Sequence, residues 1–376
     1  MQTDFDIGVI GGGLAGLSFA ILCADAGYSV ALFEKEAYPF HKVCGEYISL
    51  ESYDFLQRLG LPLNDWNLPV IKKLVVSDRN GKAYNFNLDL GGFGISRYKI
   101  DDALYHLAAK KRVLVYTNTK VNDVLFEDDT HIIQTNKGEA AVKIAACACG
   151  KRSNLDVRWQ RSFIQQKPNK LNNYIGVKYH VLCDQPADEI ALHNFNDGYC
   201  GISAVEENKY CLCYLTTANN LSVSNNSIRE MQEQVLFRNP ILKKIFNTAE
   251  FINTVPYTIS QISFEKKTRI EHHMLMLGDA AGMITPLCGN GMSMAMHSAA
   301  LAFGQIRLFF QKKISRNEME KNYLKHWNKN FSSRLATGRV VQRFMGNNST
   351  SMFLKLMHAV PFVSERVIRS THGNAF

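Results

Sequence analysis

The sequence predicts an α/β protein. A Rossmann-type domain is interleaved with an antiparallel-sheet domain and followed by C-terminal helices. Three observations carry this. The chain opens on strand, glycine-rich turn, helix and strand (DFDIGVIGGGLAGLSFAILCADAGYSVALFEKE). A second strand–turn–helix, MLMLGDAAGMITPLCGNGMSMAMHSA, runs from Met274 to Ala299. Between them lie six short segments with strand character, separated by Asn, Asp and Gly turns.

In the opening unit an apolar strand, Ile7 to Ile10, meets Gly11-x-Gly13-x-x-Gly16. Gly11 makes the turn off the strand, Gly13 lets a pyrophosphate touch the backbone, and Gly16 lets the helix press on the sheet. The phosphates then lie on unpaired amides at the positive helix end. Glu34 lies 18 residues beyond Gly16, at the end of the strand Val30 to Phe33, where a carboxylate can accept both ribose hydroxyls.

In the later unit a buried strand, Met274 to Leu277, turns at Gly278 onto the acid Asp279. A crossing through Pro286, Gly289 and Gly291 then opens a helix rich in small residues. An acid at a strand end, beside a glycine-opened helix, suits a ligand offering hydroxyls and partial negative charge. A first unit alone fits NAD or FAD. A second ligand-shaped turn some 265 residues later, with Asp279 placed for a ribityl chain, favours FAD.

This pairing resembles the FAD-dependent para-hydroxybenzoate hydroxylase superfamily, and within it the geranylgeranyl reductase-like branch. The resemblance spans most of residues 1 to 310. It rests on GGGLAG (Gly11, Gly13, Leu14, Ala15, Gly16) with Glu34 and the adjacent Lys35, and on KVCGE at Lys42 to Glu46. It also rests on SRYKIDDAL from Ser96 to Leu104, and on GDAAG with PLCGNGM. It implies that Glu34 holds the adenosine ribose, that Arg97 contacts FAD, and that Val121 offers backbone to adenine. It further implies that Gly278 and Asp279 hold the ribityl chain, and that Gly289, Asn290, Gly291 and Met292 run along the isoalloxazine ring. NADH or NADPH is the implied transient electron donor.

Cys44, taken alone, reads as a small buried hydrophobe. In reductases of this branch a matching Cys-Gly lies by the flavin, which makes Cys44 and Gly45 candidate flavin neighbours and Cys44 and Glu46 candidate catalytic groups. Flanking His41 reads as a surface or structural histidine, because nothing in the sequence supplies it a partner. Three departures stand out. The stretch ACACGKRSNL keeps Gly150 and Ser153 but has Cys149 where hydroxylases carry an Asp. The reductases' lipid-tunnel motif keeps only its tyrosine, at Tyr199, so a C20 isoprenoid is not implied. The Trp-rich motif of related halogenases is missing, for Trp66, Trp159 and Trp327 are isolated.

The expected domains are residues 1–69, 95–155 and 265–310 for FAD, 70–94 and 156–264 for substrate, and 311–376 as a helical extension. A hairpin is expected at 70–94, further strands over 174–215, and helix over 226–248. The middle strands are expected to form an antiparallel sheet over the flavin's exposed face. Nine cysteines lack any CxxC spacing, and the pairs Cys147/Cys149 and Cys211/Cys213 read as one-face alternation on strands. Neither a zinc site nor a disulfide framework is expected. No basic n-region precedes the first strand and no apolar run reaches ~18 residues, so the expected home is the cytoplasm.

Charge is unevenly spread. Residues 301–376 hold 13 Lys/Arg against 3 Asp/Glu, whereas the whole chain carries +9. The basic helices interleave Arg334, Arg339 and Arg343 with apolar residues, which suits a helical cap or a peripheral contact with an anionic membrane or lipophilic carrier. No nucleic-acid module accompanies the charge. The expected activity is that of an FAD-dependent oxidoreductase acting on a hydrophobic or aromatic small molecule. It proceeds by double-bond reduction or by flavin-hydroperoxide hydroxylation (monooxygenase). An FAD-containing binding or regulatory protein without turnover is the alternative.

Overall fold

A computed structural model describes residues 3–169, 171–286, 289–347 and 349–376. Leu287 and Cys288 of the PLCGNGM segment lie outside the described residues.

Two sheets organise the chain. The first orders its main strands Ile270–Glu271, Met274–Met276, Gly138–Cys147, Phe5–Ile10, Val30–Phe33 and Leu114–Tyr116. All neighbours in this row pair parallel except the first two. Phe5–Ile10 lies at the centre, buried on both faces by Ile7, Val9 and Ile10. The chain leaves it to one side for Val30–Phe33 and returns on the other as Gly138–Cys147. That reversal opens a crevice beyond the carboxyl ends of the strands, the position where doubly wound sheets take ligands. Helix Leu14–Asp25 covers one face between Arg97–Lys110 and Gly291–Phe310.

The second sheet runs Glu250–Phe251, Tyr174–Leu182, Tyr210–Thr217, Gly198–Ala204, Glu189–Phe195, Val70–Ser77, Ala83–Gly94 and Tyr47–Ser49, with Tyr257–Ile262 also on Tyr174–Leu182. The hairpin at 70–94 and the strands over 174–215 are present. The sheet is mixed rather than antiparallel, because Glu189–Phe195 pairs parallel with Val70–Ser77. The parallel pair is the seam where the early hairpin meets the later meander. Tyr47–Ser49 extends the sheet to the KVCGE loop, so that loop bridges the two sheets.

The helix expected over 226–248 is broken into Ile228–Gln234, a short 3₁₀ turn at Leu236–Arg238, and Pro240–Thr248. Pro240 has no amide to donate and pushes Asn239 into extended backbone, where the Asn239 side chain accepts from Ile241 N and starts a new helix. Cys147 and Cys149 are joined in a disulfide, against the expectation that neither pair would bond. Cys149 lies two residues past the strand end, so one-face alternation stops at Cys147.

Four helices follow one another at the C-terminus: Gly291–Phe310, Arg316–Phe344, Thr350–Ala359 and Pro361–Thr371. The second starts at a capping box between Ser315 and Glu318. Its inner face buries Tyr323, Trp327, Phe331 and Arg334. Arg334 is therefore not a solvated cation of a basic face. It pairs with buried Glu51, whose carboxylate also accepts from Gly373 N. Among the described residues no helix is long and apolar enough to cross a membrane.

Trp327 ties the extension to the crevice. Its indole is 1% exposed, and a Cβ on Gly282 would come within 2.9 Å of it. Trp327→Ala is expected to cost about 3–5 kcal/mol, read as a lower midpoint in denaturant unfolding. A loss under about 1 kcal/mol would contradict this anchoring role.

Candidate functional site

At the crevice the glycines meet close backbone. Gly11 adopts φ +94°, and a Cβ on Gly16 would strike the Gly11 carbonyl. Gly13 caps helix Leu14–Asp25 with no side-chain hydrogen bond. A Cβ there would lie 3.4 Å from both Arg97 Nη2 and Lys42 Nζ. These two cations are held by buried Asp101, bonded bidentately by Arg97 at 2.9 and 2.7 Å and paired with Lys42 at 3.1 Å. Burial alone would raise the Asp101 pKa, but Arg97 and Lys42 outweigh it and hold it below its ordinary value. The Glu34 carboxylate accepts from Gly12 N at 2.7 Å and Glu36 N at 3.1 Å.

The second turn is braced from below. Gly278 adopts φ +57° and its amide donates to Ser298 Oγ at 2.8 Å. Lys267 Nζ donates to Asp279 O at 2.8 Å and Lys151 O at 2.7 Å. Burial pushes the Lys267 ammonium down to about 8. Arg161, equally buried, donates to Ala280 O at 3.0 Å and pairs with Asp156 at 2.7 Å. Gly289 adopts φ +64° with the Tyr47 ring against it, and helix Gly291–Phe310 begins just beyond.

The KVCGE loop is pinned by the second sheet. Lys178 Nζ donates to Lys42 O at 3.2 Å, Cys211 Sγ to Cys44 O at 3.2 Å, and Ser203 Oγ to Gly45 O at 3.0 Å. Glu46 has φ +57°, a left-handed conformation costing about 1–3 kcal/mol for a residue with a side chain. Four contacts hold it there. Its carboxylate pairs with Lys178, accepts from Arg97 N at 2.8 Å and meets His180 Nε2 at 2.6 Å, while its carbonyl accepts from Ile95 N at 3.0 Å. Burial opposes ionisation of Glu46, but Lys178 and His180 overcome it and pull the carboxyl down to about 2. Glu46, His180 and Cys211 converge closely enough to hold a metal ion. The Lys178 ammonium already bonded to Glu46 opposes a second cation there.

One cavity of about 1100 Å³ joins these parts. It runs from Glu34 and the Gly11–Gly13 turn, past Asp279 and Gly289, to a wall of Ile190, Leu192, Tyr199, Leu215, Ile259 and Met283. That exceeds the roughly 300–1,000 Å³ typical of a site for one ligand.

Most of the sequence-predicted residues meet in this cavity. Gly11, Gly13, Leu14, Ala15, Glu34, Lys35, Cys44, Gly45, Glu46, Arg97, Val121, Gly278, Asp279, Gly289, Gly291 and Met292 all line it. Gly16 lies behind it, packed on the turn. Asn290 does not line it: its amide turns away to donate to Thr371 O at 2.8 Å, which ties the segment to the C-terminal helix. Val121 lines the cavity while its carbonyl accepts from Asn154 Nδ2 at 2.9 Å. His41 has partners after all. Its ring stacks on Tyr98 and Tyr257 at 4.6 and 4.5 Å and lies near His180. Burial, with Lys178 and His180 nearby, pushes its pKa down to about 4.

Sequence reasoning missed Lys42, Lys178, His180, Arg161 and Lys267 as parts of the site. Lys178 and His180 left a signal in YIGVKYHV, where polar residues fall at alternate positions of an apolar strand. Arg161 and Lys267 left none.

Residues 9–43 match the family model described as an NAD(P)-binding Rossmann-like domain. The conditioned medium factor receptor 1 of Dictyostelium discoideum is 23% identical over 384 residues, covering 92% of this chain and 71% of that protein. The flavin-dependent brominase Bmp2 superposes with a TM-score of 0.79 at 18% identity, over 99% of this chain and 94% of the other. A geranylgeranyl bacteriochlorophyll reductase-like protein from Thermoplasma acidophilum gives 0.78 at 18% identity, over 99% and 96%. Fold and crevice thus agree: the chain shares the fold of this flavin-dependent brominase and of this reductase-like protein.

Proposed function

We propose that this protein is an FAD-dependent oxidoreductase that reduces a carbon–carbon double bond in an apolar or aromatic small molecule, with NADH or NADPH as electron donor. The observation that carries this is the single cavity linking a dinucleotide-shaped crevice to an apolar wall. The residues fit FAD. At Gly13 the backbone faces Arg97 and Lys42 across a gap that a side chain would fill, which leaves room for phosphate between amides and cations. Glu34 would hold the adenosine ribose, and Asp279 the ribityl chain. The start of helix Gly291–Phe310 would place its amides and dipole by the ring edge that becomes negative on reduction.

FAD, when bound, supplies hydride transfer between the nicotinamide and the substrate. The chain's own residues do the rest. The apolar wall excludes water and orients the substrate. Of the buried Lys178–Glu46–His180 group only Glu46 lines the cavity, and a proton for the second carbon would pass from Lys178 or His180 by way of its carboxylate. Over the whole reaction the double bond gains one hydride and one proton while the nicotinamide is oxidised. Cys149, standing where hydroxylases carry an acid, favours reduction over oxygen insertion. The partner is a lipophilic small molecule, and a peripheral contact with a lipid surface would deliver it.

Glu34→Ala and Asp279→Ala should each weaken FAD retention by about one to two decades, the worth of a charge-assisted hydrogen bond. Flavin absorbance per protein after gel filtration reads this, and full retention in both variants would refute the assignment. The oxygen test separates the reactions. A reduced product without ¹⁸O from ¹⁸O₂ is expected, whereas labelled product means hydroxylation. A yellow protein that reduced nicotinamide cannot bleach would be a flavin-binding protein without turnover.

Glu46 sets a pH dependence. Its folded pKa of about 2 lies below the ordinary 4.5, so its ionised form stabilises the fold fully above pH 4.5. That contribution fades as pH falls toward 2, and linkage puts it at roughly 3 kcal/mol. Denaturant unfolding of wild type and Glu46→Gln should therefore show a gap at pH 7 that narrows below pH 4.5. A gap that stays constant over this range would contradict the ion-paired state.

A further inference from the structure

We infer that the two C-terminal helices form a docking face for an anionic lipid surface. The inference deepens the reading of an apolar substrate and rests on it for its purpose. Helices Thr350–Ala359 and Pro361–Thr371, with the end of Arg316–Phe344, expose a run of large apolar side chains. Met352 is 71% exposed and Phe362 66%, and Leu356, Val340, Val360 and Phe344 are also exposed. Phe344 stacks on Phe353 at 5.1 Å, which joins the first helix end to the next helix.

Each apolar cluster carries a cation one turn along the same helical face. Arg343 follows Val340, Lys355 follows Met352, and Arg366 follows Phe362. The Arg366 guanidinium lies 5.9 Å from the Phe362 ring centroid. Residues 339–371 hold five Lys/Arg and one acid, Glu365. Arg369 is already paired with Asp89 at 2.8 Å, but an apolar protein partner would leave Arg343, Lys355 and Arg366 without a counter-charge. An anionic headgroup layer meets both demands, for it takes Met352 and Phe362 below the headgroups and pairs the cations at their level.

The inner side of the face gives the docking a consequence. Leu354 and Met357, on the opposite side of helix Thr350–Ala359 from Met352 and Leu356, pack into the same apolar cluster as Leu192, Tyr199, Leu215 and Met283. Those four residues line the cavity. One helix thus separates the lipid-facing surface from the substrate wall, a short route for a molecule dissolved in lipid.

Co-sedimentation of the full chain with vesicles tests this, using phosphatidylcholine alone and phosphatidylcholine with phosphatidylserine, at 0.1 and 1 M salt. The expected result is binding to the anionic vesicles that falls at least about ten-fold at 1 M salt, where the screening length shortens to roughly 3 Å. Met352→Asp/Phe362→Asp should abolish it. Arg343→Glu should weaken it by about ten-fold or more, since each cation at the surface contributes roughly five-fold. These side chains are solvent-exposed, so the variants are expected to fold and to keep their flavin. Equal, negligible binding to both vesicles would overturn the inference. So would undiminished binding by the double variant, or a stable homodimer that the same two substitutions dissociate. Flavin content and bleaching by reduced nicotinamide, read on the same samples, report on the oxidoreductase reading separately.

Discussion

Everything in this protein depends on backbone meeting backbone at the carboxyl end of the central strand. Gly11 turns left-handed against Ala148, and Gly16 leaves no room for a Cβ against Gly11. Helix Leu14–Asp25 can start there only because those side chains are missing. The crevice follows from the reversal of strand order, and the rest of the chain returns to it twice. Residues 96–121 bring Arg97 and Val121, and residues 267–292 bring Asp279 and the start of helix Gly291–Phe310.

The crevice is ringed by three buried ionic knots: Arg97–Asp101–Lys42, Lys178–Glu46–His180 and Asp156–Arg161–Glu271. Such groups add little net stability, because desolvation offsets their attraction. Their effect is positional. A buried charge with several satisfied partners has one arrangement, and removing a partner costs about 3–5 kcal/mol. One knot holds the cations facing the Gly13 turn, one the KVCGE loop, and one the Gly278–Ala280 turn.

What could be read from the sequence was local in the chain. The glycines, Glu34, Asp279 and the helix after Gly289 each sit in a short segment whose spacing has a mechanical cause. The sequence offers Glu46 as a candidate catalytic group beside Cys44 but not its partners, because Lys178 and His180 lie more than 130 residues away. Arg334 looked like part of a basic face until the fold brought Glu51 to it across 283 residues. Asn290 belonged to a segment predicted to face the ring, but its side chain is claimed by Thr371. No single segment names both members of such a pair, since the pairs form only when distant strands and helices meet. The parallel seam between Val70–Ser77 and Glu189–Phe195 was hidden for the same reason.

The central claim is that one cavity holds FAD along its length and leaves an apolar end for a second molecule. A crystal structure of the FAD-loaded protein tests it most directly. The account predicts electron density with the adenosine ribose hydroxyls on Glu34, the pyrophosphate between the Gly13 turn and Arg97 with Lys42, the ribityl chain at Asp279, and the ring beside Gly289 with its open face toward Leu192 and Tyr199. Flavin density outside this cavity, or running the opposite way along it, would contradict the account.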